Sequence, residues 1–596
     1  MTALLSPTPV QKFFDNNGNP LFNGQLFTYA AGTTTPQATY TDYTMGTQNT
    51  NPVILNSRGE ANVWLNPALA YKLVLEDSSG NQIWSVDNIN NLSNIILTLS
   101  NIAALRLYSG VVTGQQVSIT GYTTAGDGGG GPFYWGAYAT DNGGTTITPT
   151  GQTVGSWYRL FQDYLNVAWF GAKGDGVTDD SAAINACIAA AAVSNVTVSN
   201  ADVGSVVKFL PKTYLCHGIV QPNSNVTLDM TGAILKCNSV GTTLLSIGPG
   251  NLSVNARSRL CNVIGGVLDG NDNATIGLAT NGIKESTFQK MHIKNCAPGA
   301  GGYGVYLAES DYMLSFKDCQ IYYNGYAVYG YGDNNAVTFD NCDIENNENG
   351  MYVAQTLACL DFNVTHCTIQ NNGNYNIQIV SSDGLYNIRD NYFEVANPAT
   401  STYGNPTPPT ASNLCLWGST IAGPYTLTIN FIGNYIISNN GGVTITDAIK
   451  LNIKNGTITN NYVGGLIANF LNFNTVSERV EVNGNFIGSS TTEISGNFAN
   501  VIRTSAFSTS VTGTSAGSFE WIQEKSGYSK RVIVVFNGYE NTTTTAQTIT
   551  MPTPFAFTKS FIYQDTGMGL AATLTTITLP ISMASPVTGI SILEGI

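Results

Sequence analysis

A short apolar motif that recurs along the middle of the chain limits the possible folds most. Two apolar residues five positions apart occur nine times, while the distance between successive copies varies, for example 23 residues from Phe316 to Phe339 and 25 from Phe339 to Val364. A constant core with loops of variable length is typical of solenoids. Residues between the apolar positions alternate in polarity, which is the period of a strand. The pattern predicts a parallel β-helix with one coil per copy. The nine pairs are Val263/Leu268, Phe288/Ile293, Phe316/Ile321, Phe339/Ile344, Val364/Ile369, Ile388/Phe393, Phe431/Ile436, Ile453/Ile458 and Val482/Ile487.

Composition narrows the class of protein. A chain of 596 residues is too long for one ordinary core, so several domains are expected. Only 10% of residues are charged, but 43% are hydrophobic and 10% aromatic, which indicates a turn-rich β protein and not a disordered one. The net charge of −14 argues against nucleic acid or an anionic membrane as a partner. Neither a signal peptide nor an apolar run of membrane-spanning length is predicted.

Two polar features recur inside the repeat. Cys319, Cys342 and Cys367 each lie three residues after the first apolar position, so they are predicted to stack as buried free thiols. Paired asparagines predict a ladder of amides that bond to one another at the turns. These pairs are Asn346-Asn347, Asn371-Asn372, Asn439-Asn440 and Asn460-Asn461. The three histidines are too dispersed for a histidine-based metal site, and no metal ligand set is predicted.

The rest of the chain suggests smaller domains around the repeat. Residues 1–100 are predicted to form a small β domain and residues 101–166 a neck of β structure, in which a glycine-rich loop (Gly128 to Gly131) joins two strands. That loop lacks the helix start and the lysine that a phosphate-binding loop needs. Asp179, Asp180 and Ser181 start the one predicted helix, which covers the open end of the β-helix (residues 167–504). Residues 505–596 form a predicted C-terminal β domain.

Several blocks of sequence resemble bacteriophage tailspikes. QKFFDNNGNPLFNGQLFTYAAGTTTPQATYTD, NTNPVILNSRGEANVWL and YKLVLEDSSGNQIWSVDNI are similar, in order, to the virion-anchoring domain of that family. ALRLYSG, GDGGGGPFYW and GSWYRLF, in that order, resemble the neck that tailspikes place between anchor and helix. VAWFGAKGDGVTDDSAAINACIAAAA resembles the opening of the pectate-lyase and polygalacturonase superfamily.

The resemblance implies an all-β protein built on a right-handed, pectin-lyase-like parallel β-helix with small N-terminal β domains, one capping helix and a C-terminal β domain. It also implies a homotrimer on the phage tail in the virion, which acts at the host cell surface. The C-terminal domain would hold three chains together or bind glycan.

The third strand of each coil carries an aromatic face. Val305, Val328, Met351, Ile377 and Leu414 are predicted to point inward. The outward neighbours form two columns, one of Tyr306, Tyr329, Tyr352 and Gln378, the other of Ala308, Tyr331, Ala354, Val380 and Trp417. Exposed aromatic rings stack on sugar faces. Tyr306, Tyr329, Tyr331, Tyr352 and Trp417 are therefore the candidate glycan-binding residues, and the alternative is that these rings pack at a subunit interface or beneath a loop.

Carboxylates follow these strands. Glu309 and Asp311 lie on one coil, Asp333 on the next and Asp383 two coils further on. With coils about 4.8 Å apart, Glu309 and Asp333 would be about 5 Å apart plus any sideways offset, and Asp333 and Asp383 roughly 9.6 Å. Retaining glycosidases need about 5–5.5 Å and inverting ones about 6.5–9.5 Å, so both pairings are feasible. Asp343, Glu345, Glu348 and Glu394 form a second-choice cluster on another face.

The predicted function is hydrolysis of a bacterial surface polysaccharide (capsule, exopolysaccharide or O-antigen), without a cofactor. β-Elimination on the same scaffold is the first alternative, and it would need a cation or Ca²⁺ to neutralise a sugar carboxylate. Between Cys296 and Ile449 the only cations are Lys317 and Arg389, both near the turn between the first and second strands, which favours hydrolysis. A glycan-binding adhesin without activity is the second alternative. The Asn-x-Asp, Asp-Asp and Gly-His-Gly set of polygalacturonases is absent from the sequence, so no residue roles are taken from that branch.

Overall fold

The computed structural model describes residues 10–487 except residues 67–68, 90–95, 162, 195–203, 250–256, 298–300, 356–360, 374, 382, 396–413, 421–426, 439–444, 454 and 474–477. Outside that span it describes strands alone. The chain divides into two compact units, Met1–Leu160 and Phe161–Ile596.

The first unit is built from small sheets in which all strand pairs but one, Leu97–Leu99 beside Gln116–Ile119, are antiparallel. A four-stranded sheet has the order Val53–Ile54, Gln25–Ala30, Tyr71–Glu76 and Gln82–Ile89. Two strand pairs join Leu4–Leu5 to Trp64–Leu65 and Gln11–Lys12 to Glu60–Ala61. A five-stranded sheet has the order Thr146–Ile147, Gly155–Arg159, Gly131–Ala137, Gln116–Ile119 and Leu97–Leu99. A five-residue helix, Ile102–Arg106, which the sequence pattern does not predict, begins where the Asn101 side chain accepts a hydrogen bond from the Ala104 amide.

The glycine-rich loop of this unit joins the strands Gln116–Ile119 and Gly131–Ala137, as the sequence predicts. Its backbone amides surround a side chain of the chain itself. Asp127 accepts hydrogen bonds from the amides of Tyr122, Thr123, Thr124 and Gly129 at 2.8–3.0 Å. These four donors are already satisfied by the Asp127 carboxylate, which is why the loop is a structural turn.

The second unit is a parallel β-helix, as the repeat predicts, and its strands form three parallel sheets of fourteen, twelve and eleven strands. The first sheet contains Tyr164–Asn166, Ser205–Lys208, Val226–Asp229, Val263–Ile264, Ile283–Gln289, Tyr312–Lys317, Asn335–Asp340, Phe362–Thr365, Gly384–Arg389, Leu427–Ile432, Asn455–Thr459, Glu478–Asn483 and Asn500–Arg503, with Ser258–Arg259 beside Ile283–Gln289. The second sheet contains Asp175–Asp179, Thr213–Cys216, Ile234–Cys237, Val267–Asp269, His292–Lys294, Gln320–Tyr322, Asp343–Glu345, Thr368–Gln370, Tyr392–Val395, Tyr435–Ser438, Tyr462–Gly465 and Phe486–Ile487. The third sheet contains Ile219–Gln221, Thr243–Ile247, Ile276–Thr280, Tyr303–Leu307, Tyr326–Tyr331, Asn349–Gln355, Tyr375–Ser381, Leu414–Thr420, Ile445–Asn452, Ile467–Phe473 and Thr492–Gly496.

Strand pairing confirms eight of the nine apolar pairs and corrects the other. The first apolar residues lie opposite one another in the first sheet and the second ones in the second sheet. Phe431 pairs with Ile458, however, and Ile436 with Val463. The pair on this coil is therefore Ile458/Val463, and Ile453 precedes the strand. The pattern alone is ambiguous here because Ile453, Ile458 and Val463 are spaced five residues apart.

A single interior column contains the predicted thiols and then continues as asparagines. Cys319, Cys342 and Cys367 are buried and free, and the Cys342 amide lies 3.4 Å from the Cys367 sulfur. The Cys367 amide donates to the side-chain oxygen of Asn391 at 2.8 Å. The same bond then repeats along Asn391, Asn434, Asn461 and Asn485 at 2.9–3.0 Å. Each amide therefore satisfies a polar group of the next coil, which a buried ladder requires.

A second amide ladder lies at the next turn of each coil. The Asn324 amide donates to the Asn347 side chain at 3.0 Å, and the Asn347 amide to the Asn372 side chain at 3.2 Å. Asn461 belongs instead to the column of Asn391, Asn434 and Asn485. The asparagine pairs predicted as one ladder therefore lie in two different turns. Both turns place an Asn pair after an apolar residue, and the sequence pattern does not distinguish them. The predicted pair Asn439-Asn440 lies outside the described residues.

The helix Ser181–Ser194 lies at the start of the β-helix, where the sequence predicts it. Its buried side chains Ile184, Cys187, Ile188 and Ala191 follow helical spacing and belong to the core that the coils share. Asp180 accepts hydrogen bonds from the amides of Lys173 and Gly174 at 2.7 and 2.9 Å. Asp179 accepts one from the Ser181 amide at 2.9 Å. These carboxylates therefore serve turns and the helix start, as predicted.

The described strands after residue 504 form two antiparallel sheets. One has the order Thr509–Ser510, Ser515–Ser526, Ser529–Asn541, Met583–Gly595 and Ser560–Gln564. The other has the order Gln547–Thr550, Thr576–Leu579 and Ala571–Ala572.

Candidate functional site

One outer column of the third sheet consists of stacked tyrosines. Strand pairing places Tyr306, Tyr329 and Tyr352 opposite one another on three successive coils. Ring centroids lie 5.7 Å apart for Tyr306 and Tyr329 and 5.1 Å for Tyr329 and Tyr352, with interplanar angles of 11° and 28°. The rings are half-buried. Because each ring rests on the next, the column presents mainly ring edges and hydroxyl groups along its length.

Three tyrosines that the sequence analysis did not single out complete this cluster. Tyr303 lies 4.7 Å from Tyr329 and 5.4 Å from Tyr326, and Tyr352 lies 6.3 Å from the buried Tyr375, centroid to centroid. Tyr303 pairs with Tyr326. The available signal was the repeated Tyr-x-x-Tyr spacing of Tyr303/Tyr306 and Tyr326/Tyr329. We call Tyr303, Tyr306, Tyr326, Tyr329, Tyr331 and Tyr352 the tyrosine face.

Three hydroxyls of the tyrosine face, those of Tyr306, Tyr326 and Tyr329, have a raised pKa and stay neutral. Burial, and after it the neighbouring tyrosines, raise the pKa of Tyr329 to about 12. Burial likewise raises the pKa of Tyr306 and of Tyr326. At neutral pH these hydroxyls are therefore uncharged groups that can both donate and accept hydrogen bonds. Tyr331, in the neighbouring outer column, is 41% exposed.

The structure corrects the position of Trp417. The sequence pattern predicts that Trp417 follows Tyr331 in one column. In the structure it pairs with Gln378, which pairs with Tyr352, so its strand position continues the column of Tyr306, Tyr329 and Tyr352. Leu416, and not Leu414, lies opposite Ile377, and Leu414 pairs with Tyr375. The cause is the long insertion before this strand, which removes the fixed spacing from which the register was inferred.

Glu309 and Asp333 lie in equivalent turns on successive coils, between the third sheet and the next strand of the first sheet. The Ser310 amide donates to the backbone oxygen of Asp333 at 2.8 Å. Gly332 has φ +81°, and a Cβ added to it would lie 3.1 Å from the Glu309 carboxyl carbon. The Glu309 side chain therefore packs against the turn that carries Asp333, and a glycine makes this close approach possible.

Asp311 lies inside the β-helix, which is a correction to its predicted place beside the aromatic face. It is fully buried. Its carboxylate accepts hydrogen bonds from the Thr280 hydroxyl at 2.5 Å and the Ile283 amide at 3.0 Å. Burial raises its pKa to about 7. Because both oxygens are used within the protein, Asp311 connects adjacent coils and has no path to a glycan.

Asp383 is half-exposed and lies in the corresponding turn two coils beyond Asp333, after Tyr375–Ser381. Its side chain accepts a hydrogen bond from the Gly384 amide at 2.7 Å. The turn on the coil between them, residues 356–360, lies outside the described residues. The structure thus brings Glu309 and Asp333 together and leaves Asp383 further along the same edge.

The second-choice carboxylates lie on the second sheet. Burial, then the neighbouring Glu345 and Cys342, raise the pKa of Asp343 to about 6. Gln370 donates to Glu345 at 2.7 Å, and the Tyr392 hydroxyl donates to Glu394 at 3.0 Å. Glu348 lies in the following turn, before Asn349–Gln355.

An exposed aromatic stack that the sequence did not predict continues this second face. Its rings are Tyr392, Tyr435, Tyr462 and Phe486, with successive centroid distances of 5.8, 4.5 and 5.2 Å. They belong to the second sheet, whereas the tyrosine face belongs to the third. The stack therefore supplies exposed tyrosines that are separate from the candidate site.

Lys317 and Arg389 end strands of the first sheet, at the turn that the sequence predicts. A further cation, Lys450, pairs with Trp417 in the outer column of the third sheet. Lys450 lies one residue beyond the range from Cys296 to Ile449, in which Lys317 and Arg389 are the only lysine or arginine residues of the sequence. In the described part of the chain no group of three or more His, Cys, Asp or Glu residues could hold a metal ion, and no described helix is long and apolar enough to cross a membrane.

Comparison with protein families matches two parts of the chain. Residues 98–162 match the model of a phage tail protein small four-stranded β-sheet domain, and residues 254–413 match that of a right-handed β-helix region. The first match covers the neck strands and the second covers the coils that carry the tyrosine face. The predicted right-handed parallel β-helix is therefore confirmed, and so is the resemblance to phage tailspikes.

Similar individual proteins were also found. A segment of 79 residues is 40% identical to the non-secreted LysM effector LysM19 of Penicillium expansum, and this covers 13% of the present chain and only 6% of that protein. The capsular polysaccharide depolymerase tailspike gp49 of Acinetobacter baumannii bacteriophage Fri1 is 16% identical, with a TM-score of 0.42, over 84% of this chain and 97% of that one. Full-length tailspike protein 2 of an Escherichia coli O157:H7 bacteriophage is 14% identical, with a TM-score of 0.45, over 93% and 80%. Likenesses of this size do not transfer a substrate or a mechanism.

Proposed function

Since the chain is of the phage tailspike type, with a phage-tail β-sheet domain ahead of a right-handed parallel β-helix, we propose that it binds a bacterial surface polysaccharide on the tyrosine face and hydrolyses it with Glu309 and Asp333. One observation carries the proposal. The tyrosine face lies beside two carboxylates that successive coils hold in equivalent turns. Tyrosines provide apolar edges and neutral hydroxyls for sugar hydroxyls, and the carboxylates supply the acid and the base.

The chemistry needs no group beyond the two carboxyls. One, protonated, donates its proton to the glycosidic oxygen as the bond to the anomeric carbon breaks. The other, ionised, either attacks that carbon or removes a proton from the water that attacks it. In the first case the configuration is retained, because water later releases the sugar from the carboxylate. In the second case it is inverted.

Elimination is the second candidate, and Lys450 is the observation that favours it, since a cation in the outer column could neutralise a uronate. The tyrosines do not favour it. A general base works best with a pKa near the operating pH, and burial raises the pKa of Tyr329 to about 12. Bound Ca²⁺ would be part of this alternative.

We also propose that the N-terminal unit attaches the chain to the phage tail, that three copies assemble, and that the protein acts from the virion at the host surface.

The experiment that tests the function uses the full chain and a panel of purified capsular polysaccharides, exopolysaccharides and O-antigens. We expect one of them to lose viscosity and gain reducing ends without the ultraviolet absorbance of a conjugated double bond. An absorbing, unsaturated product would replace hydrolysis by elimination. Binding without any shortening of the polymer would make the protein an adhesin.

Tyr331 offers a test of the tyrosine face with a matched control. Tyr331 and Tyr435 are both 41% exposed, but Tyr435 belongs to the aromatic stack of the second sheet. We expect Tyr331→Ala to weaken polysaccharide binding roughly tenfold, because one aromatic contact is worth about 1.4 kcal/mol. Tyr435→Ala should bind as the parent does. Isothermal titration or surface binding measures both, and a loss confined to Tyr435→Ala would place the glycan on the second sheet.

A further inference from the structure

We propose that Lys450 binds a carboxylate of the polysaccharide at one end of the glycan-binding face, so that the substrate is an acidic polysaccharide. The inference rests on the proposed function and specifies the substrate class for the same face. It gives Lys450 a role in recognition and not in the cleavage step.

The strand register places Lys450 in line with the tyrosine face. In the backbone register Tyr352 pairs with Gln378, Gln378 with Trp417 and Trp417 with Lys450. Gln378 itself is buried, and Lys450 is half-buried. Three coil spacings separate Tyr352 from Lys450, about 14 Å along the axis. A glycan chain that follows the column past the tyrosines would therefore reach Lys450 several sugar residues from the carboxylate pair.

Lys450 is unusual for its surroundings. It is the single lysine or arginine in the eleven strands that the structure describes for the third sheet. Its side chain is half-buried, and no described residue forms an ion pair with it. A partly buried charge costs free energy unless an opposite charge compensates it. A carboxylate from outside the chain would supply that compensation.

The nearest acid on the same strand is already engaged. Asp447 is only 9% exposed, and its two oxygens accept hydrogen bonds from the side chains of Asn469 at 2.8 Å and Asn472 at 3.0 Å. These amides stabilise the Asp447 carboxylate without neutralising Lys450. The Asp447 carboxylate is thus hydrogen-bonded to neighbouring amides, and the Lys450 ammonium group can bind a carboxylate of the ligand.

Charge is distributed unevenly along the face. Glu309, Asp333 and Asp383 lie at the edge near the tyrosines, where they would repel a sugar carboxylate, whereas Lys450 would attract one. Asp333 lies four coil spacings from Lys450, about 19 Å along the axis, and Glu309 lies five, about 24 Å. Both distances exceed the Debye length of about 8 Å at physiological salt, so Lys450 acts little on the carboxylate pair. We therefore infer that uncharged sugar residues lie at the carboxylates and an acidic residue lies at Lys450.

The test compares Lys450→Met, Lys450→Arg and, as a matched control, Lys317→Met at the exposed turn of the first sheet. The probe is a uronic-acid-containing capsular polysaccharide that the parent protein depolymerises, used as such and after chemical reduction of its carboxyl groups. We expect Lys450→Met to raise KM roughly tenfold at low salt, because the variant loses one charge-assisted hydrogen bond to the substrate. Its kcat should be nearly unchanged. Lys450→Arg and Lys317→Met should resemble the parent. On the reduced polymer, the KM values of parent and Lys450→Met should agree.

Three results would overturn the inference. In the first, the KM of Lys450→Met on the acidic polymer equals that of the parent. In the second, Lys450→Met raises KM equally on the reduced polymer. In the third, the parent depolymerises neutral polysaccharides alone. None of these three touches the proposed hydrolysis. A fall in kcat with KM unchanged would also overturn it, because Lys450 would then act in the cleavage step as an elimination requires. A parent protein that binds and shortens no polysaccharide would instead remove the proposed function itself.

Discussion

An Asp333→Asn variant is expected to depolymerise the polysaccharide about 10²–10⁴-fold more slowly than the parent, the usual contribution of a general acid or base. Glu309→Gln should lose activity to a similar extent. Both variants keep the shape of the side chain and remove only its ability to ionise, so polysaccharide binding and thermal stability should change little. Initial rates of reducing-end release on the susceptible polysaccharide measure the effect.

The control for both variants is Asp390→Asn. Asp390 is exposed at the turn between the first and second sheets, away from the tyrosine face, and should leave the rate unchanged. An equal loss in Asp390→Asn would indicate a general effect of charge. Full activity in both Asp333→Asn and Glu309→Gln would remove the pair from the mechanism.

Asp383→Asn decides between the two possible pairings. If Glu309 and Asp333 act together, at about 5 Å plus an offset, the Asp383 variant keeps most of its activity and the product retains its anomeric configuration. If Asp333 acts with Asp383, roughly 9.6 Å away along the axis, the Asp383 variant is inactive, Glu309→Gln is active and the configuration is inverted. Proton NMR of the first product, recorded before mutarotation, separates the two outcomes.

The fold was predictable from the sequence because the same physical requirement repeats on every coil. Phe316 and Phe339 must face the core on successive coils and do, with ring centroids 4.5 Å apart. The register predicted from the sequence is wrong where the spacing of apolar residues is ambiguous. The sequence predicts the pair Ile453/Ile458 in place of Ile458/Val463, because these three apolar residues are evenly spaced. The predicted column of Trp417 is wrong because an insertion before its strand removes the fixed spacing on which the prediction depends.

The candidate site was less predictable, because position along a strand does not determine depth in a turn. Glu309 and Asp311 are two residues apart in the same turn, yet Glu309 lies half-exposed against Gly332 and Asp311 is fully buried. A rule of alternation assigns both to one side of a strand, but the chain bends between the sheets there. The backbone path is needed to see that Asp311 is the carboxylate inside the β-helix. There it accepts hydrogen bonds from Thr280 and Ile283.

Asp311 leads to the largest expected effect of pH on stability. Burial raises its pKa in the folded protein from 3.8 to about 7, while Arg257 and the hydrogen bonds to Asp311 act in the opposite direction. The folded state therefore binds a proton that the unfolded chain has already released between pH 4 and pH 7. The stability that this proton contributes is complete below about pH 4 and is lost as pH rises to about 7. The rise of this pKa from 3.8 to about 7 limits the contribution of Asp311 to the free energy of unfolding to at most about 4 kcal/mol.

Asp311→Asn isolates this contribution, since the amide cannot ionise. Its oxygen can still accept from the Ile283 amide, and its NH₂ group can donate to the Thr280 hydroxyl. We expect the variant to gain stability relative to the parent between pH 4 and pH 7, so that the difference in Tm between them rises across that range and stays constant above it. Asp390→Asn, which removes an exposed carboxyl, should show no such trend. A difference in Tm between Asp311→Asn and the parent that is independent of pH would mean that Asp311 stays ionised in the fold, and its hydrogen bonds would then outweigh its burial.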